Sequence, residues 1–283
     1  GHHIPGSLVI GVTISWLLTG CVSLHPRNPN LQLERSQLDA VLEDMGDNLV
    51  ALERPVVILS GYRAIPWFAR SLRSRLSRLT SGNPDDFLAM AYPFATDIEK
   101  LAERVVANVQ ERWPAEDALY RPNTIEVDVV AFSMGGLVAR AAAAPLESGI
   151  APDRSARLQI RRLFTMATPH QGAKLVESTH GTPLWWFGNN AATRAMLDGS
   201  EFLRTLDAQL AQAEYDIIPY AVLNDTVVGA RNAAPAGQEP IWSPGYVAFS
   251  HIGVSEDIRL VADIARRLRG EAAIASPSEP PGD

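Results

Sequence analysis

The chain has a single cysteine, Cys21, and only two lysines, Lys100 and Lys174, and it carries a net charge of -7 with a pI near 5.4. One thiol excludes a disulfide within the molecule, so the position of Cys21 needs another reason. A chain without a basic surplus cannot displace counterions from phosphate, which argues against nucleic acid as a main partner. The apolar run at residues 8–18 falls short of the about 20 residues that a membrane-spanning helix needs. Neither a cluster of metal-ligating side chains nor a cofactor-binding loop is apparent, so no metal and no cofactor are expected. Internal repeats are absent too. What remains is ordinary globular composition, 46% hydrophobic and 20% charged, over 283 residues. That suits one large α/β domain with little chain left over for a second.

The most informative stretch is 127–140, VDVVAFSMGGLVAR. An apolar run rich in β-branched residues breaks at Ser133, and a glycine pair then opens a helical segment at 137–144. Strand, sharp turn and helix leave the serine clear of the sheet. The first N–H groups of the helix then face the space where an oxyanion would form. Ala131 and Gly135 are small for the same reason, since strand and helix pass close together on either side of the turn. The stretch resembles the G-x-S-x-G nucleophile elbow of the α/β-hydrolase lipases and esterases, with Ala131 in place of the first glycine.

Around it, strands are expected at 55–60, 87–92, 160–166 and 217–223, and helices from Pro66 to Leu79, over Ile98 to Val109 and at 257–268. Thr96 with Glu99 reads as a capping box for the second of these, and the arginines at 70, 73, 75 and 78 read as a solvated helix face. Alternating strands and helices imply a parallel sheet covered on both faces, with ligands beyond the carboxyl ends of its strands. Ser133, Gly61, Thr168 and Asp225 all fall at such ends. The expected architecture is therefore an α/β-hydrolase fold: a mostly parallel central sheet, helices on both faces, and a lid-like insertion at about 173–215. The domain is expected at 51–270, with a disordered tail, rich in Pro, Ser and Ala, at 271–283.

A serine hydroxyl becomes a useful nucleophile only when an imidazole takes its proton, and the imidazole needs a carboxylate to hold its tautomer. Asp225, just past the strand at 217–223, and His251, before the last helix, follow Ser133 in the α/β-hydrolase order. Each has a plain alternative: a helix cap for Ser133, a turn former for Asp225, a half-buried helix-start residue for His251. Asp216 stands at the wrong end of its strand, Asp198 and Asp207 lie in the insertion, and Asp257 is expected to cap the final helix. The segment TMATPHQG at 165–172 resembles the TPH-x-G loop of many lipases, and His170 in it is read as structuring the loop. The resemblance implies an oxyanion hole from the Met134 N–H and, by likeness to the HG-x turn after the first strand, the Tyr62 N–H, with Ser60 where the family has histidine. Trp185, Trp186 and Phe187 are either core or the apolar face of a lid, and as a lid they would bind substrate.

Leu18-Thr19-Gly20-Cys21 resembles the lipobox of bacterial lipoproteins. That implies a signal peptide at 1–20, lipidation of Cys21, and a tether with a helix over 21–50 holding the domain at a membrane, with Val22 matching the outer-membrane sorting pattern. The expected activity is carboxylic ester hydrolysis on an ester or lipid substrate. Acyl transfer by the same triad, and a scaffold that kept the fold without catalysis, are the alternatives.

Overall fold

A computed structural model describes residues 31, 33–115, 123–153, 156–180, 188–244 and 250–281. Cys21, Trp185, Trp186 and Phe187 lie outside these residues. The order is α1 (Arg35–Asp47), β1 (Val56–Tyr62), α2 (Pro66–Leu79), β2 (Phe87–Tyr92), α3 (Ile98–Arg112), β3 (Asn123–Phe132), α4 (Met134–Ala143) and β4 (Arg157–Met166). It continues with α5 (Lys174–Thr179), α6 (Ala191–Ala195), α7 (Glu201–Leu210), β5 (Asp216–Val222), β6 (Ile241–Ser243), α8 (Ser250–Gly253) and α9 (Ile258–Leu268). Among the described residues no helix is long and apolar enough to cross a membrane.

The six strands among the described residues form one sheet in the order β2-β1-β3-β4-β5-β6, and every adjacent pair is parallel. A parallel sheet is stable only when both faces are covered, which is why its central strands read as continuous apolar runs. Successive side chains divide between two cores. Val57, Leu59, Val129 and Ala131 pack under α3 and α4, while Val56, Ile58, Val130 and Phe132 pack under α1, α2 and α9. The strand order reverses direction at β1, between β2 and β3. The loops leaving β1 and β3 therefore part to opposite faces, and a crevice opens at their carboxyl ends.

Several details depart from the sequence expectations. The cap of α3 is Asp97, whose side chain accepts from the Glu99 and Lys100 N–H groups at 3.0 and 3.3 Å, so Thr96 does not cap it. Two of the four arginines on α2 are not simply solvated. Arg73 donates to the Pro84 carbonyl at 2.8 Å, and Arg75 pairs with the Glu256 carboxylate. Asp257 does cap α9, accepting from the Arg259 N–H at 3.1 Å. The tail is docked over its described part, 271–281, where disorder was expected. Buried Asp263 accepts from the Ile274 and Ala275 N–H groups at 2.6 and 3.1 Å, and the Trp242 indole donates to the Ser278 carbonyl at 2.8 Å.

Candidate active site

Ser133 sits between β3 and α4 with φ 52° and ψ -129°, a conformation that non-glycine residues avoid. Its backbone is tied on both sides. The Ser133 N–H donates to the Met166 carbonyl at 2.8 Å, and its own carbonyl accepts from Thr168 Oγ1 at 2.8 Å and from the Gly136 N–H at 3.1 Å. The same strain recurs along this edge of the sheet. Of the four non-glycine residues with positive φ among the described residues, Arg63, Ser133 and Ala167 are each the first residue after a strand. Strained backbone gathered at one edge is how a fold points side chains away from regular structure. The elbow leaves no spare room: a Cβ on Gly135 would lie 2.5 Å from the Leu59 carbonyl oxygen, and one on Gly136 would lie 2.3 Å from Thr168 Oγ1.

The three residues expected to act together are in contact. His251 Nε2 stands 2.9 Å from Ser133 Oγ, and His251 Nδ1 stands 2.8 Å from Asp225 Oδ2. The other oxygen of Asp225 accepts from the Val227 and Val228 N–H groups at 2.8 and 2.9 Å, which fixes the carboxylate after β5. Since a carboxylate offers only lone pairs, the proton on the ring belongs at Nδ1, and Nε2 is left to accept from the serine hydroxyl. All three side chains are buried, and the Phe132 ring lies tilted against His251 with centroids 5.2 Å apart. The histidine stands in the single turn of α8, ahead of α9.

Ser133 and His251 open onto a cavity of about 630 Å³ walled by apolar side chains, among them Phe68, Val176, Met196 and Val227. Tyr62 lines it as well, and its hydroxyl accepts from Asn190 Nδ2 at 2.7 Å. Met134 is the first residue of α4 and is fully buried. Ser60, where a histidine was expected from the family pattern, is buried and donates to the Met90 carbonyl at 3.1 Å.

His170 is separate from this group and builds the loop beside it. Arg140 Nη1 lies 3.1 Å from His170 Nδ1, and Thr165 Oγ1 lies 3.1 Å from His170 Nε2. A guanidinium has no lone pair, so Nδ1 is the acceptor and the ring proton is on Nε2, facing the threonine. Arg140 also reaches Asp207 at 2.8 Å, which ties α4 to α7. Arg140 and Asp207 were not among the residues expected to matter. The visible signal was a lone charged side chain inside the apolar helix LVARAAAA, since a buried charge demands partners.

Burial, and then the nearby Arg140 charge, hold the His170 imidazole well below its usual range. Its unfolded counterpart titrates near about 6.5. As pH falls below that value the unfolded chain takes up a proton that the folded chain refuses, so stability drops. The slope expected from this group is up to about 1.4 kcal/mol per pH unit. Urea midpoints measured between about pH 6.5 and 5 should therefore fall more gently in His170→Gln than in the wild type, and equal slopes would contradict the assignment.

A family model described as a domain of unknown function, DUF7379, matches residues 94–208, a span that holds Ser133 but neither Asp225 nor His251. Among curated protein sequences none matches the chain. The Bacillus licheniformis lipase BlEst2 in its propeptide form superposes with a TM-score of 0.55 at 16% identity, covering 83% of this chain and 54% of that one. Aspergillus fumigatus lipase B does so with a TM-score of 0.51 at 13% identity, covering 86% of this chain and 59% of that one. The chain thus spans a little over half the length of these two structures. With the parallel sheet, its two helical layers and the strained serine turn between β3 and α4, they identify the architecture of this chain as the α/β-hydrolase fold.

Proposed function

We propose that the protein is a serine hydrolase of carboxylic esters, with Ser133 as nucleophile, His251 as general base and acid, and Asp225 as the group that orients the imidazole. One observation carries the reading: His251 spans Ser133 Oγ at 2.9 Å and Asp225 Oδ2 at 2.8 Å at the mouth of an apolar cavity. In the first step Ser133 Oγ attacks the ester carbonyl while His251 Nε2 takes its proton. The imidazolium that forms keeps its Nδ1–H on Asp225, whose charge stabilises it. The oxyanion is assigned to the Met134 N–H at the start of α4 and to the Tyr62 N–H at the end of β1. His251 then gives its proton to the leaving alcohol, and water repeats the sequence on the acyl-enzyme to release the acid. The apolar lining favours an apolar acyl group, because burying such a chain removes hydrocarbon from water at little polar cost.

The test is turnover of short-chain p-nitrophenyl esters by the wild type and by Ser133→Ala. The substitution is expected to remove nearly all turnover without changing the far-UV circular dichroism. Retained activity in the folded variant would overturn the assignment.

A further inference from the structure

Among the described residues, Arg63 is the one arginine or lysine lining the apolar cavity beside Ser133. It is solvent-exposed, and no carboxylate among the described residues lines that cavity. Its position is held. The guanidinium stacks over the Tyr62 ring, 5.1 Å from the centroid, and that ring is anchored through its hydroxyl to Asn190. Asn190 is fixed in turn by the capping box of α6. Arg63 also occupies the third place of a turn closed by the Ala64 N–H on the Gly61 carbonyl, with φ 51°. Glycine or asparagine suits that conformation, and an arginine there carries backbone strain.

The geometry points to Arg63 as a specificity residue that selects esters bearing a negative charge, phosphate or carboxylate, on the alcohol part. This rests on the hydrolase reading of Ser133. An apolar acyl chain fits the interior, lined by Phe68, Val176 and Met196, so the charged part of the substrate stays at the mouth. There a guanidinium with no carboxylate beside it among the described lining residues offers a planar fork of donors that matches either anion.

The test compares kcat/KM for three octanoyl esters below their micelle concentrations: 1-octanoylglycerol, 1-octanoylglycerol 3-phosphate, and the octanoyl ester of glycerate. The wild type should prefer one or both anionic esters over the neutral one by about tenfold, and the preference should shrink as salt is raised. The two anionic arms separate a phosphate from a carboxylate as the recognised group. In Arg63→Gln the ratio should fall to near one, and Arg63→Lys should keep part of it. A ratio between two esters measured on one protein cancels any general loss of active molecules. A wild-type ratio near one, or a ratio unchanged in Arg63→Gln, overturns the proposal while leaving Ser133-dependent hydrolysis of the neutral ester in place. Absence of any Ser133-dependent hydrolysis overturns both readings.

Discussion

Replacing His251 by alanine is expected to lower kcat/KM for a short-chain aryl ester by about ten-thousand-fold or more. The loss comes from one atom, since Nε2 is the acceptor 2.9 Å from Ser133 Oγ and the described site has no other imidazole within reach of it. His170 cannot stand in. Its two ring nitrogens are already engaged with Arg140 and Thr165, and burial keeps it neutral. Asp225→Asn should fall almost as far, because an amide presents N–H to Nδ1 and moves the ring proton to Nε2, where it opposes the serine. Combining Ser133→Ala with His251→Ala should cost no more than either alone, as expected when two groups act in one proton transfer. Turnover measured beside circular dichroism checks all three variants. A folded His251→Ala protein that kept a tenth of the activity would contradict the assignment.

Placing a methyl group on Gly135 is expected to destabilise the protein by about 3 kcal/mol and to remove most activity. The added carbon would meet the Leu59 carbonyl oxygen at 2.5 Å and the Ser60 carbonyl oxygen at 2.8 Å. Those atoms belong to the backbone of β1, in the interior of the sheet, so they cannot swing aside as the tip of a side chain would. Either α4 lifts, carrying Ser133 and the Met134 N–H with it, or the end of β1 moves and displaces the Tyr62 turn. A contrasting substitution is Gly46→Ala in α1, where the new carbon meets nothing within 4 Å. That change should stabilise by about 0.5 kcal/mol through helix propensity alone. Urea unfolding of both variants tests the difference, and a Gly135→Ala protein within a few tenths of wild-type stability would be inconsistent with the packing described here.

The elbow was legible because strand, turn and helix periodicities change within a few residues of Ser133, and because Ala131 and Gly135 are small where the backbone passes closest. Asp225 and His251 were legible through order and position, each falling just past or before a well-marked element. Where the reading missed, the partner was out of view. The tail at 271–281 has the composition of a disordered segment, yet it docks by giving backbone N–H groups to buried Asp263, and no residue type announces a backbone donor. β6 escaped notice because it is three residues long and set between Pro240 and Pro244, where the pattern reads as loop. Asp97 and Thr96 are adjacent possible caps, and only the backbone geometry chooses between them. The Arg140, His170 and Asp207 network joins residues 30 and 67 positions apart, a distance across which periodicity carries no information.

The central claim, that Ser133 is an activated nucleophile, is tested most directly by reacting the protein with a fluorophosphonate and mapping the adduct by peptide mass spectrometry. Wild-type protein should carry one adduct, on Ser133, and the His251→Ala protein should react far more slowly. An unreactive Ser133 in folded wild-type protein, or an adduct on a different residue, would show that the fold persists here without the chemistry assigned to it.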